Sequence, residues 1–198
     1  MAGNEPAPPA IVCDAGPLIH LEEVGCVELL TDFPQVLVPS AVWDEVAKHR
    51  PSAFMHNTVR FQKVTPDKAL SAELDVMSRL LALHRGEREA LQVAQGHPGC
   101  LLLTDDTGAR LAARNLGLEA HGTIGVLLRA IRRKQKTKDE VVKLLRSLPT
   151  ASRFMFGPAF WRISSARSNN PHEVMLALTG CNGGLTSTAR LSYIACGR

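Results

Sequence analysis

Six acids set out what chemistry this chain could perform: Asp14, Glu45, Glu87, Glu89, Asp105 and Asp106. They fall in four separate stretches. Magnesium and manganese ions prefer hard oxygen ligands of this kind. Carboxylates gathered at one spot repel each other until a cation neutralises them. One or two such ions can activate a water and steady the charge on a phosphodiester as it reacts. Other site chemistries lack their patterns. The seven histidines (His20, His49, His56, His84, His97, His121, His172) include no His-Glu-x-x-His pair and read as surface or satisfied polar residues. Gly122-Thr123-Ile124-Gly125 lacks the Gly-Lys-Ser/Thr ending of a phosphate loop, and Ser40 lies in no nucleophile elbow.

The elements that must position these acids follow from apolar patterning. Ile11-Val12-Cys13 reads as a short buried strand that stops at Asp14. A helix opens near Pro17 with Leu18, Leu21 and Val24 on one face. Val36-Leu37-Val38 is a second strand closed by Pro39, and Ser40 is the expected N-cap of a helix from Ala41 to about Lys48. Thr58 to Val64 alternates imperfectly, as an edge strand would. Pro66 to Leu83 has helical spacing, Arg85-Gly86 is expected to break that helix, and another begins near Glu87. Cys100 to Leu103 is a continuous apolar strand ending at Thr104-Asp105-Asp106. A helix follows from Thr107 to Leu116 with Gly117 as its cap, then a brief strand at Leu118 to His121. Helices from about Thr123 to Ile131 and Lys138 to Leu148 complete the pattern, and Pro149 stops the last. Strands alternating with helices predict a three-layer α/β/α sandwich around a mostly parallel sheet. In such sheets ligands sit beyond the carboxyl ends of the strands, and Asp14, Asp105 and Asp106 fall at those ends.

Composition agrees with a globular domain. The chain has 198 residues, 45% hydrophobic and 21% charged, enough for a core that is aliphatic because aromatics reach only 5%. No apolar run approaches the ~20 residues of a membrane span, so no membrane partner is expected. Residues 1–10 are small, polar and Pro-rich and read as a flexible arm without a secretory pattern. Residues 11–150 form the predicted domain, and 151–198 an extension of unassigned fold. The five cysteines are odd in number and never spaced Cys-x-x-Cys, which points to a reducing, cytoplasmic setting. The net charge of +4 is mild, but eight basic and only two acidic residues lie between Arg129 and Arg146.

Taken in order, Ile11-Val12-Cys13-Asp14-Ala15-Gly16-Pro17-Leu18-Ile19, Val38-Pro39-Ser40-Ala41-Val42-Trp43-Asp44-Glu45-Val46, Gly86-Glu87-Arg88-Glu89-Ala90-Leu91 and Leu102-Leu103-Thr104-Asp105-Asp106 resemble a PIN domain, the fold of VapC-type toxins and related nucleases. His121-Gly122-Thr123-Ile124-Gly125-Val126-Leu127-Leu128 is similar to an uncharacterised prokaryotic VapC-like subgroup. The resemblance covers roughly Ile11 to Leu148. It implies an endoribonuclease dependent on Mg2+ or Mn2+, acting as the toxin of a toxin–antitoxin pair. RNA is then the substrate, and a small antitoxin and a second copy of the chain are the implied protein partners. Asp14 and Glu45 carry over directly as ligands. The third acid is doubled: an acid before Ala-Leu selects Glu89, which joins Asp14, Glu45 and Asp106 as the expected catalytic set, while the acid after Gly makes Glu87 the alternative ligand. Two helical positions apart is about 200°, so the two point different ways. The fourth is Asp106 by a Thr-x-Asp pattern, with Asp105 as a second candidate. Arg129, Arg132, Arg133 and Lys134 would hold the RNA backbone.

Plainer roles stand beside each of these. Asp14, Asp105 or Asp106 could cap the helix that follows it, Glu87 could complement a helix N-terminus, and Glu45 could be an exposed helix acid. The basic run could be a solvated helix face. Two rival functions are another metal-dependent phosphoryl-transfer enzyme and a catalytically silent PIN-like scaffold. A receiver-type enzyme needs an early acidic pair and a lysine after a late strand, and neither is present.

Overall fold

The computed structural model describes residues 10–147, apart from Lys68. The expected arm before Ala10, the stop at Pro149 and the extension from 151 lie outside the described residues. Five short strands form one all-parallel sheet: β1 (Ile11–Cys13), β2 (Val36–Pro39), β3 (Phe61–Val64), β4 (Leu101–Leu103) and β5 (Glu119–His121). Their order across the sheet is β3-β2-β1-β4-β5. The chain therefore winds outward from β1 in one direction and, from β4, in the other. The switch falls between β1 and β4, where Cys13 pairs with Leu103. A crevice opens at such a point beyond the strand ends.

Among the described residues five helices connect these strands, α1 (Ala15–Glu23), α2 (Ser40–His49), α3 (Ala72–Leu80), α4 (Arg85–Gly96) and α5 (Thr107–Asn115), and α6 (Thr123–Arg132) and α7 (Lys138–Ser147) follow β5. Side chains alternate across a strand. Val12, Leu37 and Leu102 thus share one face, packed with Leu74 of α3, Ala90, Leu91 and Ala94 of α4, and Ala109 and Ala112 of α5. Ile11, Cys13, Val36, Val38 and Leu103 point to the opposite face and are fully buried. There α1 and α6 pack together with their buried Leu18, Leu21 and Leu127. Cys13, Cys26 and Cys100 are buried free thiols that pack as small core residues.

Several boundaries differ from the pattern reading. The helix expected over 66–83 is only α3, because Ser71 Oγ accepts the Leu74 N–H and fixes its start. Its end is set by Ala82, which takes a left-handed φ of 51°. Arg85-Gly86 is therefore no break; it forms the first turn of α4. Ser40 does not cap α2, for its hydroxyl bonds Val64 O and Thr65 Oγ1 instead. Two 3-10 turns, Val27–Asp32 and Pro51–Phe54, were not anticipated.

Candidate active site

A cleft of about 570 Å³ opens at the carboxyl ends of β1 and β4. Its acids come from four elements: Asp14 after β1, Glu45 from α2, Glu87 from α4 and Asp106 after β4. His20 and His84 line it as well, and among the described residues no lysine or arginine does. Three helices, α1, α4 and α5, begin at this cleft. Their N-terminal N–H groups and dipoles favour negative charge there.

Asp14 is the most constrained of the four. Its Oδ1 accepts the Ala15 N–H at 2.8 Å, so it caps α1, and its Oδ2 accepts the Thr104 hydroxyl at 2.8 Å. It is only 6% exposed. Burial pushes its carboxyl up to about pKa 7, the bonds from Thr104 and Ala15 pull it down, and the charges of Glu87 and Glu45 add to the rise. Asp106 caps α5 by accepting the Ala109 N–H at 2.7 Å. Thr104 serves both acids, since its Oγ1 also accepts the Asp106 N–H at 3.2 Å.

Glu87 accepts the His84 N–H at 2.7 Å, reaching back over the first turn of α4. The plainer capping role foreseen for Asp14, Asp106 and Glu87 thus coexists with a place in the cleft. Gly86 lets α4 come close: a Cβ built there would stand 3.3 Å from Val42 Cγ2, 3.6 Å from Glu45 Oε2 and 3.8 Å from Asp14 Oδ1. Glu45 and Asp14 therefore face each other across the one residue without a side chain.

The other sequence candidates lie elsewhere. Glu89 does not line the cleft; its Oε2 accepts the Ala41 N–H and its Oε1 the Arg85 Nε–H, both at 2.8 Å. Asp105 turns into the protein beneath the cleft, 5% exposed, where its carboxylate accepts Thr123 N–H at 2.8 Å, Thr123 Oγ1–H at 2.5 Å and His20 Nδ1 at 2.8 Å. Gly122 is required here, because a Cβ on it would collide with Asp105 Oδ1. Arg129 and Arg133 both grip Asp32, at 2.6 Å and 2.7 Å. Helix α6 begins at Thr123 beneath the cleft and rises about 1.5 Å per residue, so along it Arg129 stands roughly 9 Å and Arg133 roughly 15 Å from that start, where the chain is about to enter β2. Arg132 and Lys134 are exposed near that same end.

Thr104, which ties Asp14 to Asp106, and His20 and Gly86, which line the cleft, join the residues that the sequence pattern selects. A polar Thr directly following the apolar Leu101–Leu103 run was the available signal for Thr104. His20 is 3% exposed, a satisfied buried residue and not a surface one.

The donor set suits a hard divalent cation, being all carboxylate and mutually repulsive, with one member held near neutral pKa by burial. Among the described residues, though, no three His, Cys, Asp or Glu groups stand close enough to enclose an ion as they are. Magnesium commonly keeps several waters and takes only one or two protein carboxylates, so a tight cage is not needed. A family model described as PIN domain matches residues 10–164. No curated protein matches the chain.

Proposed function

The chain belongs to the PIN-domain family, whose members are generally nucleases, and from that premise we propose that the carboxylate cleft is the active site of an endoribonuclease dependent on Mg2+ or Mn2+. The observation that supports this reading is the meeting of Asp14, Glu45, Glu87 and Asp106 from four elements in one cleft that, among the described residues, no lysine or arginine lines. Asp14 and Asp106 would hold the ion, with Glu45 and Glu87 completing its surroundings directly or through water. When bound, a divalent cation supplies a Lewis acid that activates water and steadies charge on the phosphodiester.

The chain's own residues do the rest. Thr104 orients Asp14 by donating to Oδ2 and ties Asp106 to the same hydroxyl. Without a cation, Asp14 keeps a proton up to about pH 7. The N-termini of α1, α4 and α5 offset part of the acidic charge and present a favourable field to a phosphate. RNA as substrate, and the role of toxin with a small antitoxin partner, rest on the VapC-like motifs. Arg132 and Lys134 are exposed and lie outside the Asp32 clamp, so of Arg129, Arg132, Arg133 and Lys134 these two would be the ones to touch RNA backbone.

The test is cleavage of a mixed RNA pool with Mg2+, with Mn2+ and with chelator, for wild type beside Asp14→Ala and Asp106→Ala. Metal-dependent cutting that both variants lose while keeping their circular dichroism supports the reading. No cutting by folded, partner-free wild type in either metal moves it to a silent scaffold.

A further inference from the structure

Glu89 has the residue type and motif position of a ligand, yet its geometry describes a different task. Helix α2 follows Pro39 and has no side-chain cap of its own. One of its first-turn N–H groups, that of Ala41, is instead satisfied by Glu89 Oε2 at 2.8 Å, a carboxylate from another helix. The other oxygen of Glu89 is held by Arg85 at 2.8 Å, one turn back on α4. The side chain is 14% exposed and both its oxygens are engaged. Ala41 and Glu45 are four residues apart, so they share a face of α2. That face meets α4 where Gly86 removes the side chain between Val42, Glu45 and Asp14.

We propose that Glu89 is a positioning residue: by gripping the first turn of α2 from α4, it sets where Glu45 stands opposite Asp14 and Glu87. The α4 acids then divide their work. Glu87 offers its charge to the cleft, and Glu89 offers a hydrogen-bond acceptor to a helix end. This rests on the reading of the cleft as a cation site. It predicts that Glu89 matters as an acceptor and not as a charge.

The experiment measures Mn2+ affinity by electron paramagnetic resonance on the full chain, with thermal stability of the metal-free protein alongside. Four variants are compared with wild type. Glu89→Gln keeps an amide oxygen for the Ala41 N–H and should bind Mn2+ within about threefold of wild type. Glu89→Ala removes the tie and should weaken binding about tenfold. Glu87→Gln keeps an acceptor for His84 but loses the charge, and should weaken binding more than tenfold. Ser71→Ala uncaps α3 away from the cleft and should lower stability without moving the affinity. If Glu89→Gln loses Mn2+ as Glu87→Gln does, Glu89 is a ligand; the positioning role is overturned and the cleft reading stands. If Glu89→Ala binds as wild type does, the positioning role is likewise overturned. Wild type that binds no Mn2+ overturns both.

Discussion

Thr104 Oγ1 donates to Asp14 Oδ2 at 2.8 Å, joining residues 90 positions apart across the β1–β4 switch point. The same oxygen receives the Asp106 N–H. One buried hydroxyl thus registers two acids from neighbouring strands. A threonine at a strand end is an inexpensive way to do this, because its β-branched body belongs in a sheet and its hydroxyl is held in few orientations.

Thr104→Val keeps that shape and removes the hydroxyl. Asp14 loses a bond that favours its ionised form, so its carboxyl should titrate above its present value of about 7. Removing such a supporting partner typically costs about 10-fold or more in metal affinity. Mn2+ affinity measured against pH should show the variant's binding onset displaced to higher pH, and superimposable curves would count against the role given to Thr104.

Metal-free stability should depend on pH through Asp14. The folded protein holds that proton to about pH 7, and the unfolded chain releases it near the ordinary carboxyl value of 3.8. Between those values the folded state binds more protons through Asp14, so the stability this group contributes is greatest below the lower one, falls as pH rises, and levels off above 7. The decline should be on the order of 2–4 kcal/mol. Urea unfolding in chelator at about pH 5 and pH 8 reads it, and Asp14→Asn should flatten most of the difference.

Gly86→Ala separates the cleft from the fold. Alanine favours a helix over glycine by about 1 kcal/mol, so α4 itself should tolerate it. The new methyl, however, would stand 3.3 Å from Val42 Cγ2 and between Glu45 and Asp14. Thermal stability within a few degrees of wild type with clearly weaker Mn2+ binding is the expected result. Unchanged binding would show that the two acids need not approach each other.

Gly122→Ala addresses the network below the cleft. Its Cβ meets the Asp105 carboxylate, and the bonds of Asp105 to Thr123 and His20 leave it nowhere to go. Overpacking of this kind costs about 1–3 kcal/mol. Chemical denaturation would reveal a midpoint shift of that size, and a neutral substitution would mean that Asp105 is not fixed.

The sequence showed much of this arrangement because its strands are short, apolar and bounded by Asp, Gly and Pro. The runs Ile11–Cys13, Val36–Val38 and Cys100–Leu103 each end where the structure ends them or one residue earlier. Asp14 directly follows such a run; Asp106 is singled out from Asp105 only by the Thr-x-Asp pattern of the family resemblance. The choice between Glu87 and Glu89 was not legible. Both precede or follow the same small residues, and only the start of α4 at Arg85 decides which one faces the cleft. That start was hidden because Gly86 resembles a helix breaker, whereas the true break is Ala82 in a left-handed conformation. The arginines at 129 and 133 looked like a phosphate-binding face because their partner, Asp32, is 97 residues away from the nearer one. Tertiary partners of this kind leave no local pattern.

The most direct test of the account is a Mn2+ titration at about pH 8 of wild type and Asp14→Asn, followed by electron paramagnetic resonance. Asparagine keeps an oxygen to cap α1, removes the charge, and puts an amide donor where Oδ2 accepts the Thr104 hydroxyl. The account predicts saturable binding by wild type and a loss of at least about 10-fold in the variant, with both proteins folded. Equal affinity in the two, or no binding by folded wild type, would contradict a cation site built around Asp14.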